Sequence, residues 1–161
     1  MIKTLNLLFL SMLNIGKIRY APGTIASFVT CIFFLVLNNY VDIYVIFLFT
    51  LAIFFLSFIS INFAYETFSS KDPQEIVIDE FIGQMLPLLA IPIYETLYPT
   101  HKVYYCIIAF ILFRFFDIFK PFPINYIDKN TKGAFGIMFD DIVAGIFTVT
   151  SLTVVLFFVG G

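Results

Sequence analysis

The run IYVIFLFTLAIFFLSFISINFAY, residues 43–65, holds 23 residues and no charge. About 20 consecutive apolar residues cross the hydrocarbon layer of a bilayer as a helix, so this stretch predicts a transmembrane span. Two further runs, residues 20–41 and 142–161, are also free of charge and of similar length. Residues 81–94 and 103–113 form shorter apolar runs. Extended by a turn into its flanks, each reaches spanning length; left short, the pair makes a tight hairpin. The first thirteen residues carry one lysine and a brief apolar run with no small-residue cleavage site after it. They read as a surface or packing helix rather than a signal peptide.

The composition of the whole chain agrees. Of 161 residues, 61% are hydrophobic and 12% charged, and the mean hydropathy is +1.00. A soluble domain carries roughly twice that share of charge. Disorder is excluded, because so apolar a chain collapses. A net charge of −2 with no basic stripe excludes nucleic acid as a partner. Cys31 and Cys106 both lie in apolar runs and read as buried thiols, not a disulfide framework. No linker or repeat divides the chain, so residues 1–161 read as one domain. The predicted fold is all-α, an integral membrane bundle of about five to six helices.

If five stretches cross, the charges sort by side. Lys3, Lys17, Arg19, Lys71, Arg114, Lys120, Lys129 and Lys132 share one face, and Lys102 alone takes the other. The positive-inside rule makes the first face cytoplasmic. Glu66, Asp72, Glu75, Asp79, Glu80, Asp117, Asp128, Asp140 and Asp141 sort with these cations, leaving Asp42 and Glu95 opposite. The polar chemistry therefore gathers at one membrane surface.

Four segments carry it. Around Ala21-Pro22-Gly23-Thr24 a helix begins, and its free amides, with Lys17 and Arg19 beside them, attract anions; a capped helix with interfacial anchors explains the same residues. Asp79-Glu80 precede Phe81 and Gly83. They are either acids favoured by a helix N-terminus or ligands of a divalent cation, since Mg²⁺ takes one or two carboxylates. Arg114, Asp117 and Lys120 stand at i, i+3 and i+6, sharing a helix face ended by Pro121. That set is an ion pair with a snorkelling lysine, or a phosphate clamp beside a metal-binding acid. Finally, a flexible Gly133–Gly136 loop leads into Asp140-Asp141, which open the last apolar helix. Gly145 follows Asp141 by four residues, as Gly83 follows Asp79. Two acid pairs with the same glycine spacing on one face favour a shared metal site over two independent caps.

Several chemistries fail on residue supply. His101 is the only histidine and sorts to the opposite face, so phosphohistidine chemistry has no partner acid. Cys106 stands apart from any phosphate loop, no Asp-x-Asp motif occurs, and no Ser/His/Asp set is available. Metal-assisted chemistry on an anion remains.

In this order, the four segments resemble the phosphatidylglycerophosphatase A family. The matching runs are Ala21-Pro22-Gly23-Thr24, residues 78–84 around Asp79-Glu80, residues 114–124 from Arg114 to Ile124, and residues 133–145 around Asp140-Asp141. The resemblance implies a Mg²⁺-dependent phosphatase of phospholipid synthesis. It would convert phosphatidylglycerophosphate to phosphatidylglycerol in a bacterial inner membrane, with its active site on the cytoplasmic face. On that reading Asp79, Glu80, Asp140 and Asp141 hold one or two Mg²⁺, and Asp117 is a further ligand or orients water. Arg114, Lys120, Gly23 and Thr24 receive the phosphate. A small membrane transporter, with acids along a translocation path, and a non-catalytic membrane subunit are the alternatives. Charges gathered at helix mouths on one side argue against the transporter.

Overall fold

A computed structural model describes residues 2–65, 75–98 and 101–160. Glu66, Lys71 and Asp72 of the charge-sorting argument lie outside the described residues. The elements are α1 (Ile2–Leu10), a 3-10 turn (Ile15–Lys17), α2 (Pro22–Leu37), α3 (Ile43–Tyr65), α4 (Ile78–Leu89), α5 (Ile91–Leu97), α6 (Lys102–Phe119), α7 (Ile124–Asn130) and α8 (Gly133–Gly160). The all-α expectation holds among the described residues, but they form eight α-helices rather than five or six.

Among the described residues, two helices are long and apolar enough to cross a membrane: α3 over Ile43–Ala64 and α8 over Gly133–Phe158. The outer face of α3 exposes Tyr44, Phe47, Leu48, Phe55 and Ile59, while Ile46, Ile61 and Ala64 turn inward. Helix α2 has 16 residues, about 24 Å at 1.5 Å per residue, short of a ~30 Å hydrocarbon layer. The 81–94 stretch does not form one span. It breaks at Ala90 into α4 and α5, because Pro92 lacks an N–H and its ring clashes with the carbonyl four residues earlier.

Helix α4 is instead the centre of the core. Phe81, Ile82, Met85 and Leu88 are buried, and α2, α3, α6 and α8 all pack around it. Small residues make this possible. Gly83 on α4 and Gly145 on α8 meet backbone against backbone, so the two helices approach as closely as their main chains allow. Helix α1 fastens to α3, where Asn6 Nδ2 donates to the Ser60 carbonyl at 2.9 Å. The Val77 N–H reaches the Leu10 carbonyl at 3.0 Å, which ties the end of α1 to the start of α4.

The start of α8 departs from expectation. The Gly133–Gly136 segment expected as a loop is already the first turn of α8, so Asp140-Asp141 lie two turns inside the helix rather than at its mouth. Ala134 and Met138 are buried there, and α7 packs alongside. Gly136 sits so close to the Thr131 carbonyl that a Cβ would come within 2.6 Å of it. Burial of that apolar stripe outweighs the modest helix cost of glycine.

Candidate active site

The bundle brings the four segments together at one cavity of about 790 Å³. All nine residues expected at the site, Gly23, Thr24, Asp79, Glu80, Arg114, Asp117, Lys120, Asp140 and Asp141, line it. His101, Asp42 and Glu95 do not. His101 caps the start of α6, and Asp42 caps α3 by accepting the Tyr44 N–H at 2.8 Å.

Asp79 and Glu80 occupy the first turn of α4. The close α4–α8 crossing carries Asp141 to them: one oxygen from each of Asp79, Glu80 and Asp141 falls within 4.8 Å of the others. Asp140 stands outside this trio. Adjacent helix residues point about 100° apart, and Asp140 Oδ2 accepts from Lys120 Nζ at 2.7 Å. Lys120 also donates to Asp128 Oδ1 at 2.6 Å, a carboxylate on α7 that the sequence motifs did not single out. Arg114 pairs with Asp117 at 2.6 Å across one turn and approaches the buried Ser27 hydroxyl at 3.5 Å.

The i, i+3, i+6 face expected for Arg114, Asp117 and Lys120 is thus only partly realised. Pro121 disfavours helical geometry at the residue before it, and Lys120 turns left-handed at φ 43°. Its amine leaves the α6 face for α7 and α8. Ala21, which caps α2, is also left-handed at φ 47°. Such geometry costs about 1–2 kcal/mol at a non-glycine residue, and both residues border the cavity. At the start of α2, Pro22 has no N–H and the Ile25 N–H already binds the Ala21 carbonyl. The Gly23 and Thr24 amides are left without a helical partner. A Cβ on Gly23 would lie 1.9 Å from Glu80 Oε1, so any larger residue there would displace the Glu80 carboxylate.

Charge in the cavity is unbalanced. Among the described residues, six carboxylates line it against four cations. Asp79 Oδ1, Glu80 Oε2 and Asp140 Oδ1 are buried without a hydrogen-bond partner. Burial, and then the neighbouring Glu80, push the Asp79 carboxyl well above the ordinary carboxylate range. Burial also raises Glu80, against the opposing pull of its hydrogen bond to Asp79 and of Arg114. Burial pulls Lys120 down, but hydrogen bonds to Asp128 and Asp140 outweigh it and hold the ammonium above its ordinary value. Two unpartnered oxygens within a three-carboxylate cluster fit a hard divalent cation, which takes oxygen ligands and relieves the repulsion. Gln84, one turn beyond Glu80, is fully buried with neither amide atom partnered, and its place in the motif gave no hint of this.

The chain is 37% identical over 134 residues to a phosphatidylglycerophosphatase A from Haemophilus influenzae, covering 83% of this chain and 78% of the relative. It is 39% identical over 89 residues to an Escherichia coli protein of the same name, 55% of this chain and 45% of that one. A Bacteroides thetaiotaomicron protein provisionally named a phosphatidylinositol-3-phosphatase is 39% identical over 90 residues, 56% of this chain and 53% of that one. No solved structure matches. The phosphatidylglycerophosphatase A family matches residues 8–156, and with nearly the whole chain aligned to it, this protein belongs to that family.

Proposed function

We propose that this chain hydrolyses the terminal phosphomonoester of phosphatidylglycerophosphate, giving phosphatidylglycerol and inorganic phosphate, with Mg²⁺ at the carboxylate cluster. Family membership supports the phosphatase activity. The observation that carries the chemistry is the cluster itself: Asp79, Glu80 and Asp141 converge within 4.8 Å in the cavity that also holds Arg114 and Lys120.

Asp79, Glu80 and Asp141 would hold the ion, and Asp140 serves Lys120 instead. The chemistry a bound Mg²⁺ supplies is polarisation of phosphoryl oxygens and acidification of a coordinated water. The protein's own groups do the rest. Asp117 fixes the Arg114 guanidinium, which offsets negative charge on the phosphate. The Gly23 and Thr24 amides at the start of α2 donate to its oxygens. Asp128 and Asp140 hold Lys120 charged and in place. The apolar outer surface of the bundle keeps the cavity at the level of the lipid headgroups, with α3 and α8 as the membrane-crossing elements and the cavity on the cytoplasmic side.

The test is phosphate release from synthetic phosphatidylglycerophosphate by the purified chain in detergent. Release that needs Mg²⁺ and stops with EDTA supports the reading; no release, or undiminished release in chelator, removes it.

A further inference from the structure

The four cations of the cavity are not equivalent. Arg114 and Lys120 are half-buried and neutralised by carboxylates. Arg19 and Lys132 also line the cavity, yet both are exposed and neither forms an ion pair among the described residues. Arg19 comes from the segment leading into α2, where its guanidinium lies 5.7 Å from the Tyr20 ring centre. Lys132 comes from the connection between α7 and α8. The cavity therefore has an acidic, buried floor and, at its rim, two positive charges that no carboxylate among the described residues neutralises.

An anion bound by Arg19 and Lys132 would be distinct from a phosphate at the carboxylate floor. The lipids named for the relatives share that pattern: a phosphatidylglycerophosphate and a phosphatidylinositol 3-phosphate each carry a phosphodiester to the diacylglycerol and a phosphomonoester further out. We infer that Arg19 and Lys132 bind the phosphodiester while the phosphomonoester lies at the carboxylate cluster. These two residues then set a preference for lipids bearing both phosphates over a simple lipid phosphomonoester. The inference rests on the phosphatase reading above. Interfacial anchoring also places cations at a membrane surface, but an anchor has no reason to line the cavity and does not discriminate between substrates.

The experiment compares kcat/KM for phosphatidylglycerophosphate and for phosphatidic acid of the same acyl chains, using the full chain in neutral detergent micelles. The Arg19→Gln/Lys132→Gln variant should lower the ratio of the two values on the order of tenfold, mainly through KM for the first substrate, since exposed charge pairs contribute modestly each. Lys129→Gln, an exposed charge on α7 outside the cavity, should leave the ratio as it is. An unchanged ratio in the double variant, or equal losses on both substrates, overturns the inference. So does a change seen only when an anionic lipid is added to the micelles, which would assign the two cations to bulk headgroups. A wild-type chain that hydrolyses neither lipid removes the phosphatase reading and this inference with it. One that hydrolyses both at a ratio insensitive to the double variant removes the inference alone.

Discussion

Gly145 on α8 sits directly against the Gly83 carbonyl on α4. A Cβ on Gly145 would lie 2.5 Å from the Gly83 carbonyl oxygen, and one on Gly83 would lie 2.7 Å from the carbonyl oxygen of Asp141. Main chain cannot yield as a flexible side chain does, so either Gly→Ala change must push α4 and α8 apart. Each single variant should lose roughly 1–3 kcal/mol of stability, as overpacked cores do. Each should also lose activity, because the same crossing brings Asp141 to Asp79 and Glu80. Thermal unfolding in detergent, with phosphate release on the same sample, checks both; unaltered activity in Gly145→Ala would show that the crossing does not set the cluster.

Asp141→Asn keeps size and removes charge. Loss of a group that merely supports a metal ligand commonly costs 10–100-fold, and loss of the ligand itself should reach the top of that range, so turnover should fall about 100-fold or more, with partial recovery at high Mg²⁺. Asp42→Asn is the control. Asp42 caps α3, asparagine caps helices equally well, and little should change. Equal losses at both positions would misplace the site.

Asp140→Asn should behave differently from its neighbour. Asp140 holds Lys120, so its loss should weaken substrate binding and leave the Mg²⁺ concentration for half-maximal activity in place. A shift of that concentration matching Asp141→Asn would return Asp140 to the metal ligands.

The pH response of the metal-free protein follows from Asp79. Its carboxyl is raised by burial and by Glu80, so folding favours the protonated form. That stability is present below the ordinary carboxylate value of about 4 and is lost as pH rises through the raised value in the folded protein. The melting temperature of the EDTA-treated chain should therefore fall as pH rises above the carboxylate range. Saturating Mg²⁺ should flatten the curve, and its binding should release protons and strengthen with pH. A metal-free melting temperature that rises over the same interval would contradict this.

Topology can be tested through α8 alone. The cavity lies toward its N-terminal half, where Asp140 and Asp141 sit, while Tyr94 Oη hydrogen-bonds Thr153 near its far end at 2.8 Å. A reporter inserted near Lys129 should be cytoplasmic and one fused after Gly161 should lie across the membrane. Both on one side would mean that α8 does not cross.

Much of the site was legible because its parts are local. The Asp79/Gly83 and Asp141/Gly145 spacings put an acid and a point of close approach on one helix face, whatever the rest of the chain does. Helical apolar content also showed through residues 43–65. What could not be read depended on tertiary packing. Asp140 and Asp141 are equivalent as text and are separated only by which helix each faces. Lys120 finds Asp128 because the chain turns left-handed and returns as α7. Residues 133–136 have the glycines of a loop, yet burial of Ala134 and Met138 makes them the start of a helix. The 81–94 run has the composition of a lipid-facing hairpin, yet it supplies the core helix, because neighbours on four sides bury the same apolar residues that lipid would otherwise cover.

Among the described residues, helix α3 contributes none of those that line the cavity, and much of its surface faces outward. On the proposed membrane reading, catalytic demands act on its inner stripe only through packing and leave the outer stripe to the lipid. That outer stripe can drift among apolar side chains, and its length can follow the thickness of the host bilayer, without any adjustment of the carboxylates. Within one short chain, adaptation to the membrane and adaptation to the substrate are written on separate surfaces and can evolve at separate rates.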